Sequence, residues 1–241
     1  MSKPDKPKTS GRITRGPLPE DNLVPKTLEF VRKQLPNWRN DPKRPKSESE
    51  KSLNSTLCDF LEHRRRDLLP MARFKHESPQ DVNRTVDIGV HGTADETLID
   101  ASTYSFYEPF LVIECKRLPT PGGTDREQEY VTGTAENGSP TGGIQRFKLG
   151  LHGSNVRTAI LVGYIQANDP KHWHRIINKW IRELSKSSPN NNLQWRDSEQ
   201  LIMPQSDSEA NIHCLKSEHP RLRLSSQMPI ELHHYWIVMV G

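Results

Sequence analysis

Residues 110–116 read FLVIECK, and the fold turns on how that stretch is interpreted. Phe110, Leu111, Val112 and Ile113 follow one another without a polar break, as a strand covered on both faces requires. The run is far shorter than the ~20 residues of a membrane span. Alternate residues of a strand share a face, so Glu114 and Lys116 project together while Cys115 enters the opposite layer. A strand that ends this way puts two charges at the rim of a core, where burial is costly unless they are paired or bound to metal.

Just upstream, residues 84–90 (RTVDIGV) alternate. Val86, Ile88 and Val90 fall on one face, and Thr85, Asp87 and Gly89 on the other. If the two strands pair, Asp87 reaches the spot where Glu114 and Lys116 project. Two converging carboxylates make an oxygen site for Mg2+, which takes few protein carboxylates and keeps several waters. A neighbouring ammonium can orient a water or stabilise charge developing on a phosphate. Those are the parts for metal-assisted phosphodiester hydrolysis. A plain Glu–Lys pair at a strand end accounts for the spacing of Glu114 and Lys116 equally well.

Further out, Ser49 is placed to cap a helix beginning at Glu50, with Leu53, Leu57, Phe60 and Leu61 as its apolar stripe and Arg64, Arg65 and Arg66 at its carbonyl end. Residues 71–77 form a candidate strand. Residues 91–109 turn the chain and have room for one short strand. Residues 119–143, rich in Gly, Pro, Thr and Ser, read as a flexible flap with Gly142 and Gly143 as hinges. Residues 144–151 give a helical turn or two, and 157–166 a second buried strand. Trp173, Ile176, Ile177, Trp180, Ile181 and Leu184 mark the clearest helix, opened by Asp169 and Pro170. A linker at 187–192 leads to a strand-rich last fifty residues. This order implies an α/β fold with a mixed central sheet flanked by helices.

The first 46 residues differ from the rest. They carry twelve Lys and Arg against five Asp and Glu, a net +7 that leaves −3 for the remainder, and eight of the nineteen prolines. Such a segment buries little apolar surface and cannot offset its ordering entropy. The sequence therefore divides into a basic, proline-rich arm at 1–46 and an α/β domain at 47–241. One short helix, with Pro25 at its start and Leu28, Val31 and Leu35 on its stripe, interrupts the arm. An arm of this charge suits phosphate-backbone or protein-partner binding.

Glu50, the TVDIG of residues 85–89 and the VIECK of residues 112–116 resemble the PD-(D/E)XK nuclease superfamily, over residues 47–166. Arg126 and Glu127 after Asp125, Tyr130, the GIQRF of residues 143–147, and Gly163 with Tyr164 are similar to bacterial defence-type members. Val86 stands where the family name has proline. The resemblance implies a restriction-endonuclease-like fold with Asp87 and Glu114 as metal ligands and Lys116 as catalytic lysine. Glu50 would assist the metal or its water, and Gln145 or Arg146 would face the scissile phosphate. Glu48 competes for the helix role, but Leu53 and Asn54 follow Glu50 in phase. The expected cofactor is Mg2+, with Mn2+ as substitute, and the expected substrate is nucleic acid, DNA before RNA, in antiphage defence or DNA processing. The competing class is a non-cleaving nucleic-acid-binding or scaffolding subunit, serving a partner that carries a motor or sensor.

Other features narrow the setting. Cys58, Cys115 and Cys214 are odd in number and far apart, so a disulfide scaffold is excluded and a reducing, cytoplasmic compartment is expected. A signal peptide is not expected from the polar, proline-studded opening at Met1-Ser-Lys-Pro4, and no apolar run is long enough for a membrane span. His213, Cys214, His219, His233 and His234 invite a zinc reading, but they lack the paired Cys-x-x-Cys spacing of a structural site. No phosphate-binding Gly-x4-Gly-Lys motif codes a nucleotide-driven step.

Overall fold

The computed structural model describes residues 23–81, 84–187, 193–207, 212–221 and 228–239. Among them, no helix is long and apolar enough to cross a membrane. The apolar run at 110–116 lies in strand β5 (Pro109–Leu118), whose residues are buried with the single exception of Arg117. Its neighbours explain the unbroken apolar pattern. β2 (Arg84–Gly92) pairs antiparallel on one side, and β6 (Thr158–Ile165) pairs parallel on the other. β1 (Ala72–Asp81) completes an antiparallel meander with β2. β6 then pairs parallel with β9 (Ile230–Val238), and β9 is followed outward by antiparallel β8 (Ile212–His219) and β7 (Ile202–Asp207). The seven-stranded mixed sheet has the order β1-β2-β5-β6-β9-β8-β7. The 91–109 stretch holds two short strands, β3 (Glu96–Ile99) and β4 (Ser102–Ser105), which form a hairpin of their own and leave β2 free to pair with β5.

Residues partnered across a ladder share a face of the sheet. One face carries Glu114, Lys116, Leu161, Gly163, His234 and Trp236; the other carries Ile113, Cys115, Val162, Tyr164 and Tyr235. Two helices cover the second face. α1 (Leu23–Arg39) packs Trp38 against Tyr164 and accepts the Tyr235 hydroxyl proton at Leu28 O, 3.2 Å away. α2 (Glu50–Leu68) lies beside it, with Leu53, Leu57 and Leu61 in the core, and its N-cap is Ser49, whose hydroxyl accepts from Ser52 N. The first face is covered by a 3-10 turn (Thr124–Tyr130), α3 (Gly143–Lys148) and α4 (Pro170–Ser187). α4 starts as its sequence implies, with His172 N donating to Asp169 Oδ1 at 2.6 Å.

Two expectations are corrected. The folded part does not begin at Ser47. α1 buries Leu23, Phe30, Val31, Leu35 and Trp38 in the common core, and residues 1–22 of the expected arm lie outside the described residues. α1 also runs through Pro36, where a helix loses a hydrogen bond at a cost of ~3 kcal/mol. Full burial of Leu35 and Trp38 on either side, worth roughly 1.5–3 kcal/mol for each large apolar side chain, offsets that cost. The second correction concerns Gly142, which is no hinge. A Cβ there would sit 2.3 Å from Thr132 Cα and 2.6 Å from Val131 O, so glycine is what lets α3 start against that segment. The 187–192 linker falls almost wholly outside the described residues.

Candidate active site

The β2–β5 ladder is in register through Ile88 and Ile113. Asp87 and Glu114 are the next residues along, on the face that carries α3. Here Asp87 uses its carboxylate in place of a strand partner, and Oδ2 accepts from Cys115 N at 2.7 Å. Glu114 is 2% exposed. Its Oε1 lies 3.1 Å from an Arg146 guanidinium nitrogen and 3.4 Å from Lys116 Nζ, and its Oε2 lies 3.0 Å from His152 Nδ1. The His152 contact is an ion-pair approach without an aligned hydrogen bond. Glu50, the first residue of α2, comes from the opposite layer. Its Oε1 lies 3.6 Å from Lys116 Nζ, and its Oε2 accepts from Arg117 N at 3.3 Å.

The charges are not evenly compensated. Burial, then the charge of Glu114, pushes Asp87 up to about 8, although the residue as a whole keeps some exposed surface. Burial opposes ionisation of Glu114 as well, but His152, Lys116 and Arg146 together hold its carboxyl well below the usual range. Burial likewise opposes the charge on Lys116, and Glu114, Glu50 and Asp87 outweigh it, so this lysine holds its proton more tightly than usual.

Asp87 and Glu114 open onto a pocket of about 550 Å³, also lined by Arg84, Thr85, Ser139, Pro140, Arg146, Leu151 and His152. Its wall at Pro140 is tied to α3, because Arg146 Nε donates to Pro140 O at 3.0 Å. Of the residues singled out in the sequence, Asp87, Glu114, Lys116, Glu50 and Arg146 therefore come together. Gln145 does not join them. Its side-chain oxygen accepts from Gly133 N at 3.0 Å and Gly142 N at 3.2 Å, capping the start of α3 and closing the 133–142 loop. Glu48 accepts from Gln166 Nε2, away from the pair of carboxylates. His152 carries no signal in the sequence. It stands alone in a polar loop, and only the return of the chain after α3 brings it to Glu114.

Among the described residues, no group of three or more His, Cys, Asp or Glu side chains is gathered closely enough to hold a metal ion by itself. The donor set at the site is two carboxylates, which suits a cation that keeps most of its waters rather than one that demands four protein ligands. The histidines of the zinc reading do not converge. His219 and His234 are joined through Ser217, while His233 pairs with Glu231. Comparison with protein-family models, with curated proteins and with solved structures returned no match.

Proposed function

We propose that this protein is a Mg2+-dependent endonuclease of restriction-endonuclease-like fold, acting on DNA. The observation that carries the reading is the meeting of Asp87 and Glu114 at one pocket, with Lys116 Nζ buried 3.4 Å from Glu114 and with one carboxyl pushed up to about 8 by burial and by its like-charged neighbour. A folded chain does not need two carboxylates there. A divalent cation between them would turn the repulsion into attraction. The order of elements supports the same reading. α2, the β1-β2-β5 meander, α3 and parallel β6 succeed one another, in the order read from the sequence, over the span that the resemblance covers.

Asp87 and Glu114 are the residues that would hold the ion. When bound, it would supply Lewis-acid activation of the phosphate and of a water. The remaining roles belong to the chain. Lys116, ringed by three carboxylates, remains an ammonium and stabilises negative charge on the scissile phosphate rather than accepting a proton. Glu50 orients Lys116 from the opposite layer. Arg146 on α3 and Arg84 at the start of β2 line the pocket and offer planar, charge-assisted contacts to phosphate oxygens. His152 lies against the second oxygen of Glu114, and the first faces Arg146 and Lys116.

The test is to incubate the purified protein with supercoiled plasmid, linear DNA and RNA, with and without Mg2+ or Mn2+, beside Asp87→Ala and Glu114→Ala. Metal-dependent nicking or cutting by the wild type alone is the expected result. Binding without cutting in every condition would favour the non-cleaving subunit, with a motor or sensor carried by a partner.

A further inference from the structure

On the same face of the sheet lies a second polar cluster that the chemistry above does not use. It begins at Lys148, fully buried and two residues after Arg146 on α3. Two residues span a little over half a helical turn. The two cations therefore leave α3 on opposite sides, Arg146 toward Glu114 and Lys148 into the core. There Lys148 meets the Glu199 carboxylate, donates to Gln194 O at 3.1 Å and lies 4.7 Å from the centre of the Trp195 ring. Glu199 Oε2 is 2.7 Å from His219 Nδ1, and His219 Nε2 is 2.7 Å from Ser217 Oγ. Ser217 Oγ is also 2.7 Å from His234 Nε2. His234 Nδ1 is 2.8 Å from the Tyr130 hydroxyl, which in turn accepts from Trp236 Nε1 at 2.8 Å.

The two ends fix the direction of every hydrogen bond. An indole only donates, so Tyr130 donates onward to His234 Nδ1. His234 then carries its proton on Nε2 and donates to Ser217, Ser217 donates to His219 Nε2, and His219 donates from Nδ1 to Glu199, a carboxylate that only accepts. Both histidines are neutral in this scheme, and burial pushes both below the ordinary histidine range. The chain then closes on α3. Val131, next to Tyr130, accepts from Gln145 N at 2.9 Å, and Gly142 packs against the same segment. A ring thus runs from Lys148 through Glu199, His219, Ser217, His234, Tyr130 and Val131 back to Gln145.

A six-residue helix cannot hold itself, since isolated helices shorter than ~12–15 residues are marginal in water. We propose that this ring is the device that positions Arg146, with Lys148 and Ser217 as positioning residues, so that strands β8 and β9 set the geometry of a pocket built on β2 and β5. The kinetic consequence rests on the nuclease reading; the structural one does not.

Ser217→Ala removes the central hydroxyl without adding charge. The measurements are a thermal melt, kcat and KM for Mn2+-dependent cleavage of a fluorescein-labelled DNA duplex, and amide hydrogen exchange across residues 143–149. The expected result is a cooperative melt and faster exchange over 143–149. With these go a kcat lowered about tenfold or more and a KM within about twofold of wild type, because a small displacement of a phosphate-holding group is felt mainly in the transition state. Ser217→Ala/Arg146→Ala should be no slower than Arg146→Ala alone. A wild-type kcat in Ser217→Ala while Asp87→Ala is dead, or independent losses that multiply in the double variant, would overturn the positioning role and leave the nuclease reading intact. If Asp87→Ala cuts as well as wild type, or the wild type does not cut, the nuclease reading falls and exchange alone decides. Unchanged protection of 143–149 then overturns the ring, and faster exchange supports it. Should Ser217→Ala not fold, Tyr130→Phe breaks the ring at its other end and enters the same measurements.

Discussion

Two buried polar clusters sit on one face of the same sheet, and they are built on opposite principles. Around Glu199, an ammonium, two neutral imidazoles and two hydroxyls are matched donor to acceptor, and none of their buried polar atoms lacks a partner. Around Glu114, burial and then the Glu114 charge drive a second carboxylate, Asp87, up to about 8, and His152 Nδ1 is buried without an aligned hydrogen bond. A fully satisfied network rigidifies, whereas an unsatisfied one marks a place where something else binds. The second cluster costs stability that the first helps to supply, and α3 belongs to both, through Arg146 and Lys148.

The comparison breaks most visibly in cleavage. Asp87→Ala and Glu114→Ala should each lower the rate by ~10³-fold or more, since several kcal/mol of transition-state stabilisation is at stake, while both variants stay folded. Lys116→Ala should lose turnover similarly but bind Mn2+ close to normally, and Lys116→Arg should not restore it, because a planar fork does not replace a compact ammonium. Isothermal titration with Mn2+ beside single-turnover cleavage separates these outcomes; wild-type rates in Asp87→Ala would remove the metal site altogether.

In stability the order reverses. Lys148→Met leaves Glu199 as a buried carboxylate that keeps the Arg196 amide and a neutral imidazole but no counter-charge beside it, and should cost about 3–5 kcal/mol. Lys116→Met should cost less, because Glu114 keeps Arg146 and His152. Urea denaturation of the two variants in EDTA measures the difference, and equal losses would mean that the clusters are not built differently.

Asp87→Asn tests the repulsion. In the metal-free protein the folded-state pKa of Asp87 is near 8, above its ordinary 3.8. Ionising it opposes folding, so the stability it contributes is present below pH ~4 and is lost as the pH rises to about 8. Asparagine cannot ionise. Its stability advantage over wild type, measured in EDTA, should therefore grow between pH ~4 and ~8 to the order of a few kcal/mol and level off above. A gap that does not change with pH would show that Asp87 is not under that strain. The smallest effect is expected at Gln145. Gln145→Ala should cost about 1–2 kcal/mol through the two backbone amides it leaves unpaired and should leave KM unchanged, and a raised KM would return this residue to the phosphate.

Much of this was legible in the chain itself because it depends on near neighbours. An unbroken apolar run ending in Glu114 and Lys116 dictated a strand covered on both faces and two charges on one side of it. Alternation dictated the strand of Asp87. Caps at Ser49 and Asp169, followed by apolar stripes at helical spacing, set α2 and α4. The continuation of α1 through Pro36 was not legible, because it depends on the core that Leu35 and Trp38 enter and not on local propensity. Nor was the capping role of Gln145, whose oxygen could have faced substrate until the 133–142 loop folded back on it. His152 and the ring through Glu199, His219 and His234 were least legible of all. A lone histidine carries no spacing signal, and Lys148 finds Glu199 across 51 positions of sequence. Sequence periodicity reports which face a residue occupies. Which buried donor meets which acceptor is decided only when distant strands are laid side by side, since the cost of an unpaired polar group is incurred only after water has been removed.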